Sequence, residues 1–292
     1  MSRPEPQIQG GYRLLDTGGE RRLEQVGPLR VVRQGLAAVW SPRLPRAEWE
    51  RADAVHHRSD RGGGRWEWRR NAPREFPIAY GGLRFHVRLT DFGHLGLFPE
   101  QAENWAWLRQ SLRRLPRGGR PRVLNLFAYT GGSTLASARA GAALVHVDAA
   151  RGVVEWAREN ARLNGLGDHP IRWIVDDALK FVRREARRGN RYQGIVLDPP
   201  TFGRGPKGQM FKIENDLAPL LEACAEVLDG GPAFVLLSCH TPGFTPTTLA
   251  NLLEAVGPRR PARIETGEML VRDETGRPLP SGTYARWMSG IR

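Results

Sequence analysis

Apolar and polar residues follow two different patterns along the 292-residue chain, and the pattern changes near residue 95. In the first part, short apolar stretches alternate with glycines and charged residues, which is typical of short strands joined by turns. Residues 78–89 are one example, because two such stretches flank Gly81-Gly82 and predict a β-hairpin. We therefore predict a small β-rich region over residues 1–95 and a second domain over residues 96–292.

The second domain has the pattern of an α/β fold. An amphipathic helix is predicted over residues 100–115, and short strands and helices then alternate to about residue 240. The strands are short and mainly apolar without period-2 alternation, which indicates a parallel sheet buried on both faces. Their alternation with helices favours a doubly wound sheet, and two strands in the C-terminal tail are expected to close its edge. The five apolar runs are VLNLFAY, ALVHVDA, IRWIVDD, GIVLDPP and AFVLLSC.

Ligands of a doubly wound sheet bind at the carboxyl ends of its strands, so the residues that end each strand are the candidates for chemistry. The first strand runs into a turn with two adjacent glycines, which would let the backbone approach a ligand closely. This turn lacks the Gly-Lys-Ser/Thr ending of a phosphate-binding loop and the three glycines of the dinucleotide-binding fingerprint. Its candidate ligand-binding residues are Asn125, Phe127, Tyr129, Thr130, Gly131 and Gly132.

Acidic residues end the second and third strands. Asp148 ends the second strand, where a carboxylate can accept hydrogen bonds from the hydroxyl groups of a ribose. Asp176-Asp177 ends the third strand, where a carboxylate can meet the amino group of adenine; we assign that contact to Asp177, with Asp176 as the alternative. At this point any nucleoside cofactor fits, including a nicotinamide dinucleotide, and each aspartate could instead cap the helix that follows it.

The fourth strand ends in Asp198-Pro199-Pro200-Thr201-Phe202. Two consecutive prolines fix a rigid turn and remove two backbone N–H donors, so carbonyl groups and the Asp198 carboxylate remain to accept hydrogen bonds. A planar substrate that carries amino groups fits such a turn, and Phe202 is available to stack on it. A nicotinamide-dependent dehydrogenase has no need of this turn, which argues against that class.

The four strand ends together resemble class I S-adenosylmethionine-dependent methyltransferases over roughly residues 121–240. The chain is most similar to the bacterial ribosomal RNA methyltransferases that modify cytosine C5 or guanine N7 in large-subunit RNA. Residues 125–132 match their motif Asn-x-Phe-Ala/Ser-Tyr-Thr-Gly-Gly, and residues 198–202 match Asp-Pro-Pro-x-Phe. The resemblance implies S-adenosyl-L-methionine as cofactor. Its methionine portion is expected on the first motif, its ribose on Asp148 and its adenine on Asp177. The target base is expected at residues 198–202, where Asp198 also borders the cofactor.

The resemblance also bears on Cys239, which follows Ser238 at the end of the last apolar run. In the cytosine-C5 members a cysteine at this point attacks C6 of the base and makes C5 nucleophilic. Methylation of guanine or of an exocyclic amine needs no thiol. A single cysteine at a strand end can also be a small buried hydrophobic residue, and the neighbouring His240 can be a base or a loop residue.

Upstream, residues 82–105 resemble the hairpin that precedes the catalytic domain in those enzymes, with two departures. The family has a Lys-Thr-Gly run and Asp-Gln-Arg where this chain has Gly93-His94-Leu95-Gly96 and Pro99-Glu100-Gln101. An RNA-binding PUA domain is not evident in the N-terminal part. These departures concern the identity of the substrate rather than that of the cofactor.

Composition adds a partner to this picture. The formal net charge is +13 and lysine occurs only at 180, 207 and 212, so arginine supplies nearly all of the positive charge. Such a chain attracts nucleic acid, and arginine binds phosphate through two donors and stacks on bases. The Trp and Arg residues at 65–70 could stack on bases, although packed tryptophans beside solvated arginines are the simpler interpretation. The basic, glycine-rich residues 201–212 are either a connector or a clamp over substrate.

Two cysteines exclude a disulfide framework and a cysteine-based zinc site, and we predict no metal. We find neither a signal peptide nor a run of about twenty apolar residues that could cross a membrane. The expectation is therefore a cytoplasmic monomer or homodimer.

We predict a Rossmann-like methyltransferase domain that follows a small N-terminal β-rich region and methylates a base in RNA, expected to be ribosomal. One alternative is methylation of a protein or small molecule, since the Asp198 turn also suits amide nitrogens. A second is a non-catalytic RNA-binding assembly factor that retains the cofactor fold. A nicotinamide oxidoreductase is a distant third.

Overall fold

The computed structural model describes residues 7–59, 63–116, 118–206, 208–257 and 261–291. The chain divides into two compact units. The first comprises Met1–Ala102 and Leu270–Ser281, and the second comprises Glu103–Met269 and Gly282–Arg292. The predicted boundary between a β-rich region over residues 1–95 and a catalytic domain over residues 96–292 stays a prediction.

The first unit is built from short strands, as its glycine-punctuated sequence leads one to expect. Its five-stranded sheet has the order β1-β2-β3-β4-β5, antiparallel except for the parallel pair β3–β4. A short helix α1 (Arg46–Glu50) connects β3 to β4. The sheet strands are β1 (Tyr12–Gly18), β2 (Arg21–Val26), β3 (Leu29–Gln34), β4 (Ala54–Arg58) and β5 (Gly64–Trp68).

The predicted hairpin is confirmed, and it begins three residues before the predicted start. It consists of β6 (Glu75–Tyr80) and β7 (Leu83–Arg88), and Tyr80 pairs with Leu83 across the turn. The turn residues Gly81 and Gly82 have φ angles of 59° and 78°. This left-handed pair is the geometry that a two-residue hairpin turn requires, and glycine adopts it without a steric penalty.

A buried ion pair lies in the first unit. Glu24 and Arg33 are 0% and 5% exposed, and two Arg33 nitrogens donate to the two Glu24 oxygens, each at 2.7 Å. The Tyr12 hydroxyl donates to Glu24 at 2.8 Å, and Arg33 also donates to the Gly93 carbonyl at 2.8 Å. Gly93 thus connects residues 93–96 to this ion pair. These residues are one of the two segments that depart from the pattern of the resembling enzymes.

The second unit contains a seven-stranded sheet of order β10-β9-β8-β11-β14-β16-β15. The first five strands in this order are parallel, and β16 runs antiparallel to β14. The predicted edge closure by two C-terminal strands is confirmed. The sheet strands are β8 (Arg122–Leu126), β9 (Ala143–Asp148), β10 (Ile171–Val175), β11 (Gly194–Leu197), β14 (Ala233–Cys239), β15 (Arg263–Arg272) and β16 (Pro278–Ser289).

Helices cover both faces of this sheet. One apolar cluster packs α5, α6 and α7 on one face, and a second packs α2 and α3 on the other. The sequence pattern predicts helices over about residues 178–187 and over residues 217–228. The structure confirms the first as α5, whereas the second, α6, begins at Ile213. A 3-10 turn (Pro99–Gln101) leads into α2. The helices are α2 (Ala102–Arg114), α3 (Gly132–Arg139), α4 (Arg151–Leu163), α5 (Ala178–Arg187), α6 (Ile213–Val227) and α7 (Pro246–Glu254).

Two short paired strands lie within residues 201–212, where the sequence predicted a connector or clamp. They are β12 (Phe202–Arg204) and β13 (Met210–Lys212), and Phe202 pairs with Lys212. Phe211 lies 5.0 Å from Phe127 between ring centroids, which anchors the hairpin on the loop after β8. This hairpin is not evident from the sequence because three-residue strands are too short for a periodic pattern.

Glu24→Ala should lower the free energy of unfolding by about 3–5 kcal/mol, because it leaves the Arg33 charge buried without its partner. The measurement is chemical denaturation of the full chain. Glu50→Ala is the matched control, since Glu50 is an exposed partner of Arg46 and its loss should change stability little. Equal stability of the two variants would contradict this view of the ion pair.

Acid should weaken the same interaction. Burial alone raises the pKa of Glu24, but Arg33 and Arg22 outweigh burial and the net pKa is lowered. A lowered folded-state pKa means that the stabilisation is present above the unfolded-state pKa and is lost as pH falls through the folded-state value. The stability difference between wild type and Glu24→Ala should therefore shrink over that acidic range.

Candidate active site

The carboxyl ends of β8, β9, β10, β11 and β14 lie along one edge of the sheet because these strands are parallel. The strand order changes direction between β8 and β11, since β9 and β10 extend the sheet on one side and β14 on the other. Such a switch point opens a crevice at the strand ends, where doubly wound folds bind their ligands. The predicted site residues follow these strands.

The loop after β8 contains two aromatic residues with left-handed backbone. Phe127 has φ 53° and Tyr129 has φ 48°. Such a conformation costs on the order of 1–3 kcal/mol for a residue with a side chain, and it persists where the surroundings fix it. The backbone N–H of Ala128 donates to the Val147 carbonyl at 3.1 Å, and that of Tyr129 donates to Asp148 at 2.9 Å. The end of β9 therefore holds this loop in place.

The two glycines that end the motif are required for different reasons. Gly131 has φ 93°, which a side chain would strain. At Gly132 a Cβ atom would lie 2.5 Å from the indole of Trp105 in α2. Trp105 is fully enclosed, so it cannot move aside cheaply. The second glycine is therefore explained by its contact with Trp105, and backbone approach to a ligand at this turn stays a prediction.

A chain of buried polar side chains supports the loop from below. The Asn125 amide donates to the Thr134 hydroxyl at 2.9 Å, and this hydroxyl lies 3.0 Å from Nδ1 of His146. Burial, aided by Arg158, lowers the pKa of His146 to about 3, so the imidazole is neutral at physiological pH. Asn125 was predicted as a cofactor contact. In the structure its side-chain amide donates to Thr134 within this buried chain.

Thr130 is also held from inside the protein. It is 2% exposed, and its carbonyl accepts a hydrogen bond from the Asn160 amide at 3.0 Å. Tyr129 is less buried, with its ring 6.2 Å from that of Trp156. Sequence analysis missed Thr134, His146 and Asn160 as supporting residues. His146 could have indicated this buried polar chain, because it is a polar residue within the otherwise apolar run ALVHV.

Asp148 uses both carboxylate oxygens to bind backbone. Oδ2 accepts from Tyr129 and Oδ1 accepts from Ala150, at 2.9 and 3.0 Å. Burial raises the pKa of Asp148, and the backbone hydrogen bonds oppose this shift without cancelling it. Each carboxylate oxygen has a second lone pair, so the group keeps capacity for hydroxyl donors. The carboxylate thus links the β8 loop to the start of α4.

The two aspartates after β10 have different partners. Asp177 caps α5, because its side chain accepts a hydrogen bond from the Lys180 backbone N–H at 2.9 Å. Asp176 forms an ion pair with Arg184 at 2.6 Å. The helix-cap alternative for Asp177 therefore holds in the structure. A cap leaves lone pairs on the carboxylate, so the adenine contact stays a prediction.

Asp198 lies at the centre of a polar cluster that joins β11 to β14. Its Oδ1 accepts a hydrogen bond from the Ser238 hydroxyl at 2.8 Å and lies 3.4 Å from Nε2 of His240. The Thr201 and Thr241 hydroxyls are 2.7 Å apart and connect the two loops a few residues further on. The sequence identified Asp198, whereas the contribution of Ser238 depends on strand register, which a single sequence does not reveal.

The turn after Asp198 has one buried and one exposed proline. Pro199 is buried, Pro200 is exposed, and Phe202 is 51% exposed at the start of β12. An exposed aromatic ring of this size, four residues after Asp198, is available to a planar ligand. Stacking by Phe202 stays a prediction.

Cys239 lies on the other face of β14 from Ser238. It is 1% exposed and belongs to the apolar cluster that also contains Val235 and Leu237. Burial raises the pKa of its thiol, although a hydrogen bond from the Thr241 backbone N–H to Sγ at 3.4 Å acts in the opposite direction. A nucleophilic thiol requires a lowered pKa and access to the substrate. In this environment Cys239 resembles a small buried hydrophobic residue.

Among the residues that the structure describes, no group of three or more His, Cys, Asp and Glu side chains is placed to hold a metal ion. No helix in the described part of the chain has the length and apolar character needed to cross a membrane.

Comparisons with known proteins agree with this geometry. The family model described as S-adenosylmethionine-dependent methyltransferase matches residues 21–262. The crystal structure of the SAM-dependent methyltransferase from Agrobacterium tumefaciens is 34% identical with a TM-score of 0.89, and the match covers 99% of this chain and 97% of that one.

Two curated relatives match shorter segments. Ribosomal RNA large subunit methyltransferase K/L of Magnetococcus marinus is 31% identical over 183 residues, which is 62% of this chain and 24% of the relative. Ribosomal RNA large subunit methyltransferase I of Aeromonas hydrophila is 30% identical over 160 residues, 54% of this chain and 38% of the relative. The chain thus spans about a quarter of the length of the first relative.

The family model covers most of the chain, and the Agrobacterium structure matches it over nearly the whole of both chains. Both agree with a doubly wound sheet whose strand ends carry the family's motifs. This chain therefore belongs to the S-adenosylmethionine-dependent methyltransferase family.

Proposed function

We propose that this chain transfers the methyl group of S-adenosylmethionine to a base in ribosomal RNA. The observation that carries the proposal is the placement of Asp198. It lies at the switch point of the sheet, on the same edge as the β8 loop and Asp148, and it is held by Ser238. A cofactor-binding loop and a hydrogen-bond acceptor for substrate thus meet at one crevice.

The fixed loop and Asp148 suit the cofactor. Residues 125–132 would hold its methionine portion, Asp148 its ribose and Asp177 its adenine, while Asp198 borders it. The bound cofactor supplies a methyl group on a positively charged sulfur, which is open to attack by a nucleophile. The loop needs no rearrangement to bind, because Asp148 and the buried Asn125–Thr134–His146 chain already fix its backbone.

Asp198 suits a methyl acceptor that carries an N–H group. An ionised carboxylate only accepts hydrogen bonds, so it selects a base that presents an N–H group. Pro199 and Pro200 add no backbone donors that would compete. Ser238 orients the carboxylate, and His240 is placed beside it to accept a proton that leaves the acceptor. Positioning of the base against the methyl donor then supplies most of the rate.

The burial of Cys239 favours a nitrogen acceptor over cytosine C5. The C5 route requires the Cys239 thiolate to bond to C6 of the base. Burial raises the pKa of that thiol and places it within an apolar cluster. We therefore place the methyl group on a base nitrogen that carries a hydrogen.

Two observations support RNA as the substrate. The net charge of +13, supplied almost wholly by arginine, favours a polyanionic partner. The curated relatives are named for methylation of large-subunit ribosomal RNA. A ribosomal RNA substrate also implies a cytoplasmic location.

The test is transfer of labelled methyl from S-adenosylmethionine to an extract of a strain that lacks the gene, with the RNA and protein fractions counted separately. We expect label in large-subunit RNA with wild type and a loss of at least about 100-fold with Asp198→Ala, since that variant loses both orientation and acceptor. Label in protein instead of RNA would turn the proposal towards a protein acceptor. Tight cofactor binding without any transfer would favour the non-catalytic assembly factor.

Cys239→Ala should retain methyl transfer within a few-fold of wild type, because a buried thiol makes no bond to a nitrogen acceptor. The measurement is the same assay with kcat and KM determined separately. Cys224→Ala serves as the matched control, since Cys224 is also buried and burial raises the pKa of its thiol. Loss of transfer in Cys239→Ala alone, with the protein folded, would restore the cytosine-C5 route.

Asp148→Asn should weaken binding of S-adenosylmethionine by at least about ten-fold, because it removes a charged acceptor for the ribose hydroxyls. Calorimetric titration measures this directly. Since the pKa of Asp148 is raised, wild-type binding should weaken as pH falls through that value, and Asp148→Asn should lack this dependence. The control Asp168→Asn changes an exposed carboxyl. Unchanged affinity in Asp148→Asn would remove Asp148 from the cofactor site.

A further inference from the structure

A basic pocket lies in the first unit, at the segment that joins β5 to β6. Its volume is about 320 Å³, within the range of roughly 300–1,000 Å³ typical of ligand sites. One aromatic ring, three arginines and one amide supply most of its wall. The lining residues are Trp68, Arg69, Arg70, Asn71, Ala72 and Arg74.

Trp68 and Arg74 form the stacking element of this pocket. The Arg74 guanidinium carbon lies 5.2 Å from the centre of the Trp68 ring, and Trp66 supports that ring at 6.3 Å. Trp68 is only partly buried and Arg74 is exposed. Nucleobases stack on aromatic rings, indole among them, and on guanidinium planes.

The other two arginines are held by neighbours. Arg70 pairs with Asp53 and donates to the Pro28 carbonyl at 3.3 Å. Arg69 donates to the Glu50 carbonyl at 2.7 Å and lies 3.6 Å from Glu67. These contacts fix the side chains before any ligand arrives, which lowers the entropy cost of binding.

Arg74 differs from them. Within the described part of the chain, its guanidinium has no ion pair or side-chain hydrogen bond, and it lies over the Trp68 ring. The indole N–H of Trp68 has no acceptor there either. An exposed cation stacked on an aromatic ring in the wall of a pocket suits a group that combines a planar ring with a negative charge.

We propose that this pocket binds a nucleotide of single-stranded RNA, whose base packs on the Trp68–Arg74 stack and whose phosphate accepts hydrogen bonds from Arg74. The inference rests on the proposed function for the identity of the polymer. It gives the first unit a role that the methyltransferase motifs do not cover, which is to hold the substrate RNA. Ala72 is the one aliphatic residue of the wall, so an apolar peptide would bury little surface here.

The test is equilibrium binding of a short, fluorescently labelled single-stranded RNA to the full chain, with a duplex of equal length as competitor. Arg74→Gln should weaken binding on the order of ten-fold and reduce the slope of log affinity against log salt by about one. The control Arg46→Gln removes an exposed arginine of the same unit and should bind as wild type does. The duplex should compete poorly because its bases are not free to stack.

A pair of substitutions at Trp68 separates stacking from packing. Trp68→Phe keeps an aromatic face and should retain most of the RNA affinity. Leucine is close to phenylalanine in volume but has no aromatic face, so Trp68→Leu should lose RNA affinity on the order of ten-fold. Thermal unfolding checks that both variants fold. Should Trp68→Leu fail to fold, Arg74→Gln decides the matter alone.

Methyl transfer measured on the same proteins keeps the two proposals distinct. If Arg74→Gln binds RNA as tightly as Arg46→Gln does, the pocket proposal is wrong, whatever wild type methylates. If wild type methylates no RNA while the binding losses appear as expected, the pocket proposal stands and the proposed function is wrong.

Discussion

The hydrogen bond from the Tyr129 backbone to Asp148 is the interaction on which the site depends. It joins the end of β9 to a loop whose aromatic residues have unfavourable left-handed backbone. Without that acceptor, and without the Asn125–Thr134–His146 chain beneath it, an ordinary loop would relax to a cheaper conformation. The loop after β8, to which we assign the cofactor, is therefore fixed by the protein itself, and the carboxylate that we propose for the ribose is also the group that fixes it.

The second half of the site depends on strand register in the same way. The parallel pairing of β11 with β14 places Leu197 opposite Leu237, and the next residues, Asp198 and Ser238, then meet at the crevice. Alternation along β14 sends Cys239 to the opposite face. One register thus accounts for the orientation of Asp198 and for the burial of the thiol.

Much of the architecture could be predicted from the sequence because parallel strands buried on both faces leave a clear apolar signature. The α5 helix and the C-terminal strands followed from the same pattern. The β12–β13 hairpin could not be predicted, since its strands are three residues long and its order depends on the contact of Phe211 with Phe127. Motif spacing located Asn125 and Asp177 correctly at strand ends. It could not tell that Asn125 points into a buried chain or that Asp177 caps a helix, because side-chain direction depends on tertiary contacts.

The most direct measurement is nucleoside mass spectrometry of ribosomal RNA from cells with and without the gene. We expect one methylated nucleoside, with the methyl group on a base nitrogen, that disappears on deletion and returns with wild type but not with Asp198→Ala. Identical nucleoside profiles in the two strains, or loss of a 5-methylcytidine instead, would contradict the proposed function.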